Sequence, residues 1–168
     1  MDSKQPLEPW LRGTLTDLPA VPRAVLHALE LAKEDLLRWC GPLTDAELNA
    51  RPAGIAPVAF HIRHIAGSTE RLTAYLERKQ LSANQLAALE QEKQPGASRE
   101  RLLAEMDAAF RKTEVVVRGL DLTALAAPRE AGRKRLPTTV IGLLTHIAEH
   151  TQRHVGQAIC AARVVRIP

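Results

Sequence analysis

Four stretches of the chain repeat apolar side chains every three or four residues, and proline or glycine stands at most of their ends. That period places one apolar stripe along a helix, so each stretch must bury one face against another element. The first runs over about 22–40, where Val25, Leu29, Ala32, Leu36 and Trp39 share a face. Pro22 suits a first helical turn, and Gly41-Pro42 stops the helix. The second starts near Pro57 and reaches about Lys79, with Val58, Ile62, Ile65, Leu72 and Leu76 inward. The third spans about Arg99 to Arg118, with Leu102, Leu103, Met106, Phe110, Thr113 and Val117 inward and Gly119 near its end. The fourth starts near Pro137 or Thr138 and continues to about Val165. Its stripe is Leu143, Leu144, Ile147, Val155, Ala158, Ile159 and Ala162.

The connections are punctuated in the same way. Residues 1–20 carry Pro6, Pro9, Gly13 and Pro19 and read as an irregular lead-in. Thr44-Asp-Ala-Glu47 is a capping-box pattern, and Ser82 with Gln85 opens a short helix inside a long connection over 79–97. Residues 121–136 form a second, basic connection. No strand is predicted; the β-prone Val115-Val116-Val117 run lies inside a helical period. The expectation is an all-α four-helix bundle in one domain over 1–168. The long connection lets the second and third long helices be joined by a crossover.

Composition agrees with such a bundle. Apolar residues make up 45% of the chain and aromatic ones only 3%, so Leu, Ile, Val and Ala must fill the core. That apolar content and a net charge of +4 exclude disorder. No long charge-free apolar run suits a membrane span. The N-terminus lacks a basic region followed by an apolar run, so a cytoplasmic location is expected. Cys40 and Cys160 then stay reduced, and each sits in an apolar helical pattern that predicts a buried thiol. Nucleic acid is not the expected partner. The cations are interspersed with 19 acidic residues, and aromatic side chains for base stacking are nearly missing. The one tight basic cluster, Arg129, Arg133, Lys134 and Arg135, reads as a solvated loop.

Six histidines outnumber the five aromatic residues. His27 lies off the stripe of its helix and is expected at the surface. The other five fall in two motifs, His61-Ile-Arg-His64 and His146-Ile-Ala-Glu149-His150-Thr-Gln-Arg-His154. His150 and His154 are one helical turn apart on one side, a spacing that can place two imidazole nitrogens on one metal. From the stripe centre of the last helix, His154 lies at about 60°, His150 at about 100° and His146 at about 140°. The first two flank the core and His146 faces solvent. On the second helix His61 lies at about 60° and His64 at about 120°, so geometry alone does not select His64.

The segments HIRHIAGSTERL and HIAEHTQRHVGQ, in this order and on these helices, resemble the DinB-like (damage-inducible) superfamily, which includes the YfiT-type proteins. The resemblance implies a four-helix bundle holding a divalent metal, zinc or nickel in many members, through three histidines. By motif position it implies His64, His150 and His154 as the ligands, and leaves His27, His61 and His146 as bystanders. It further implies that Gly156 permits close helix approach and that Gln157 supports a ligand or packs. Activities in the family include transferases that use low-molecular-weight thiols and a mycothiol-dependent isomerase. Dimers are common there, so a homodimer is an expectation of the resemblance alone.

The leading expectation is therefore a metal-dependent thiol S-transferase, in which the metal activates a thiol or water for attack on an electrophilic small-molecule substrate. The alternative is a non-catalytic bundle stapled by its metal, acting as a binding or stress-response protein. A third reading takes His146-x-x-Glu149-His150 as an inverzincin peptidase motif. It is disfavoured because no acidic residue follows His150 to complete the ligand set, and because His146 should face solvent.

Overall fold

The computed structural model describes residues 7–167. Residues 1–6 of the expected lead-in, part of the N-terminus on which the expected location rests, lie outside them. The long helices are α1 (Ala20–Trp39), α3 (Val58–Leu76), α5 (Arg99–Arg118) and α6 (Val140–Val164). Two short helices, α2 (Asp45–Asn49) and α4 (Ala83–Gln91), lie in the connections. Both carry the expected capping boxes: Thr44 with Glu47 and Ser82 with Gln85 satisfy each other's otherwise orphaned donors.

The stripes meet as the periodicity requires. Leu36, Ile62, Ile65, Leu102, Met106, Leu144 and Ile147 are all fully enclosed. α6 lies between α1 and α3, and α5 lies beside both α3 and α1. α3 and α5 run the same way. Asn49, shortly before α3, holds the Gly96 amide and the Ala97 carbonyl just ahead of α5. Further along, Glu70 meets Lys112 and Thr73 meets Thr113. The 79–97 connection therefore crosses back along the bundle, as its length allows. α6 runs the opposite way to α3, and with α1: Gln152 reaches the Ala28 carbonyl, Arg163 covers Trp39, and Arg166 reaches the Pro42 carbonyl.

Three sequence expectations need correction. The basic connection holds a two-stranded antiparallel sheet, β1 (Pro128–Ala131) with β2 (Leu136–Thr139), in the register Pro128↔Thr139 to Ala131↔Leu136. Four residues with a proline in each strand give too little alternation to be read as strands. The hairpin is anchored by Arg129, whose Nε donates to the Leu76 carbonyl at the end of α3. It leads directly into α6, whose first turn is capped by Thr139. His27 is buried, not at the surface. The lead-in folds over it, and Thr14 Oγ1 lies 3.1 Å from its Nε2. Cys40 is buried as expected, whereas Cys160 is exposed, because Ala158, Ala161 and Ala162 take the inward positions of that turn. Among the described residues, no helix is long and apolar enough to cross a membrane.

Candidate metal centre

Antiparallel packing of α3 on α6 brings the two histidine motifs together. His64 sits opposite His150, and His61 sits opposite His154. The rings of His64, His150 and His154 form a triangle with centroids 4.4–5.1 Å apart. Each offers one nitrogen within 4.8 Å of the other two, so the three form a group that could hold a metal ion. The helical wheel did not choose between His61 and His64, and the packing does: His64 completes the triangle. His61 stands against its edge, with its Nδ1 3.1 Å from His154 Nδ1. His61 is thus no bystander in space. Phe60 closes one side, stacked on His64 at 5.5 Å and edge-on to His61 at 5.2 Å.

His146 remains outside the triangle. It is exposed, and its Nδ1 lies 2.6 Å from Glu149 Oε1. Glu149 is also paired with Arg153 and points to solvent. The peptidase arrangement, with His146 and His150 on one zinc and Glu149 as base, has no support in this geometry. Gly156 does not serve close helix approach either, since a side chain built there would meet open space. Gln157 is exposed and lines a cleft beside His61 rather than touching the triangle.

Glu92, the residue that caps the end of α4, was not legible as part of the site. Its carboxylate is 4% exposed and lies between two residues of α3. Oε1 accepts from Arg71 Nη1 at 2.5 Å, and Oε2 lies 2.7 Å from His64 Nδ1. No sequence period links a residue in a connection to a helix 28 positions away. The one available hint is an acidic residue closing a short capped helix.

One hydrogen bond fixes the position of a proton. An ionised carboxylate only accepts, so His64 Nδ1 carries a proton and His64 Nε2 is turned toward α6. His150 Nε2 lies 2.9 Å from it. His150 Nδ1 is buried with no hydrogen-bond partner. Burial, reinforced by the neighbouring His64, pushes His150 and His154 down to about 4, and pushes His61 down as well. The His150 and His154 rings are therefore neutral at pH 7, the form that ligates metals. Crowded neutral nitrogens and one orphaned nitrogen are what a divalent cation would relieve, so the residues fit such a group.

A family model for the DinB superfamily matches residues 28–158, which spans both histidine motifs. The chain belongs to the DinB superfamily. A crystal structure of a conserved protein from Enterococcus faecalis has the same fold, with a TM-score of 0.74 at 20% identity. The match covers 88% of this chain and 98% of that one. Comparison with curated proteins gives no match. The DinB-superfamily match takes in all of α3 and the three histidines of the triangle. Glu92 and Arg71 also lie within the matched stretch.

Proposed function

We propose that this DinB-superfamily chain is a metal-dependent enzyme that joins a low-molecular-weight thiol to an electrophilic small molecule. The observation that carries the reading is the convergence of three imidazoles, His64, His150 and His154, from two helices. Three protein ligands leave coordination positions open, which catalytic sites need and closed structural sites lack. Zinc and nickel both suit an all-imidazole set. When bound, such a cation supplies the Lewis acidity that yields a thiolate from a thiol at neutral pH.

The chain's own residues do the rest. His64, His150 and His154 hold the cation. Phe60 screens one face from water. A cleft of about 590 Å³ extends from His61 along α6 and is lined by Ile55, Ala56, Arg153, Gly156 and Gln157. Its size suits a small molecule. Its mostly aliphatic wall would take an apolar body, and Arg153 would take a carboxylate carried by thiol or substrate. In the reaction the sulfur–carbon bond forms as the bond from carbon to the leaving group breaks, and the thiol proton goes to solvent. A cytoplasmic setting suits this chemistry, since both cysteines stay reduced there.

The test is elemental analysis of the native protein, followed by a screen of zinc- and nickel-loaded protein with several thiols and a chromogenic aryl halide. Near-stoichiometric metal and metal-dependent thioether formation support the reading. A second reading rests on the place of the ligands, one on α3 and two on α6, where a cation would staple two helices. It expects metal removal to lower the melting temperature while no thiol adduct forms on any electrophile.

A further inference from the structure

We infer that Glu92 is a positioning residue, which holds His64 in the tautomer and ring orientation that present its Nε2 to a metal. The inference rests on the reading of His64 as a ligand. Its ground is the buried triad Arg71–Glu92–His64. A carboxylate with 4% exposure needs compensation, and Arg71, itself only 11% exposed, supplies a matching charge. One oxygen would suffice for that pairing. The second oxygen is committed to His64 Nδ1. The imidazole can then neither flip nor change tautomer without leaving a buried carboxylate oxygen unpaired. A histidine that donates its far nitrogen to a carboxylate is both oriented and made more basic as a ligand.

Two further features show that α3 is shaped to receive this carboxylate. Gly67 sits one turn beyond His64, and a methyl group there would overlap Glu92 Oε1 and come within 2.7 Å of Arg71 Nη1. Gly67 is helical, with no positive φ to explain its lack of a side chain. Arg63 meanwhile donates to the Gln91 and Gln94 carbonyls, so the chain on both sides of Glu92 is pinned to α3. The crossover connection thus carries a working part of the centre and does more than join two helices.

The test is Co²⁺ titration of the metal-free full chain, with affinity read by competition against a chromophoric chelator and coordination read from the visible absorption of the loaded protein. Glu92→Gln keeps the shape and removes the charge. It is expected to weaken Co²⁺ about 10–100-fold and to change the visible spectrum. Gly67→Ala, which alters neither ligand nor carboxylate, is expected to weaken Co²⁺ in the same direction by displacing Glu92. It also decides the matter if the Glu92 variant does not fold. Thr113→Val, buried between α3 and α5 and outside the triad, controls for mere destabilisation: it lowers the melting temperature of the metal-free protein while the Co²⁺ spectrum stays that of the parent. Parental affinity and spectrum in both Glu92→Gln and Gly67→Ala overturn the inference. His64→Ala separates the two levels, because full Co²⁺ binding by that variant overturns the reading of His64 as a ligand itself.

Discussion

His61 Nδ1 and His154 Nδ1 face each other at 3.1 Å across the α3–α6 interface. One of the two nitrogens carries a proton and the other accepts it, so the pair orients the His154 ring from outside the triangle. His61→Phe keeps the bulk and removes the partner. It is expected to weaken metal binding roughly 10-fold without abolishing it, as read by chelator competition. Unchanged affinity would show that the contact does not orient His154.

The ligand set makes a sharper division. His64→Ala, His150→Ala and His154→Ala should each lower metal content several-fold or more, whereas His146→Ala should retain the parental content. His27→Ala should also keep its metal but lose about 1–3 kcal/mol of stability, because His27 is buried beneath the lead-in. Elemental analysis and denaturant midpoints on the same preparations check both halves.

Acid should act on the metal-free protein through two of these rings. His150 and His154 are pushed from 6.5 down to about 4 in the folded chain. Above about pH 6.5 neither state holds the proton, and the pair adds no pH dependence. Between that pH and about 4 the unfolded chain takes up protons that the folded chain refuses, so stability falls as pH falls. Urea midpoints measured across this window should decline steadily. A flat profile would show that these rings are not held neutral by burial.

The two thiols should separate cleanly. Burial pushes the Cys40 thiol up to about 12, while Cys160 is exposed. Ellman's reagent should therefore titrate one thiol in the folded protein and two in guanidinium. The sign at high pH is the reverse of the acid case. Cys40 contributes stability that is intact below the unfolded thiol's pKa and is lost as pH rises toward 12.

Thr73 and Thr113 meet between α3 and α5 with their hydroxyl oxygens 2.8 Å apart, fully enclosed. Thr113→Val should cost about 1–2 kcal/mol, because it leaves Thr73 facing an apolar group. The double change Thr73→Val with Thr113→Val should cost less than the sum of the two single changes. A double-mutant cycle on urea midpoints measures this directly.

What the sequence made legible follows the reach of its periodicities. The third long helix ends where its stripe and Gly119 place it, and both short helices begin at their capping boxes. The motifs brought three histidines to notice, and the family resemblance singled out His64 where the wheel could not. Three kinds of feature stayed hidden. The 128–139 hairpin is too short to alternate visibly. The burial of His27 depends on an irregular segment that carries no period. Glu92 reaches the centre through a connection whose path is set by the parallel packing of α3 and α5, which no local pattern encodes.

A cation held between His64 and His150 would close a covalent-like ring through 86 residues of chain. That ring encloses α4, α5 and the hairpin, and it excludes α1. Holding its ends together in the unfolded chain removes much of that chain's freedom, so the enclosed part gains most from the cation. The excluded helix gains only through its packing. Under force applied from the N-terminus, the metal-loaded chain should shed α1 first and then resist as a single closed body, whereas the metal-free chain should extend along its whole length.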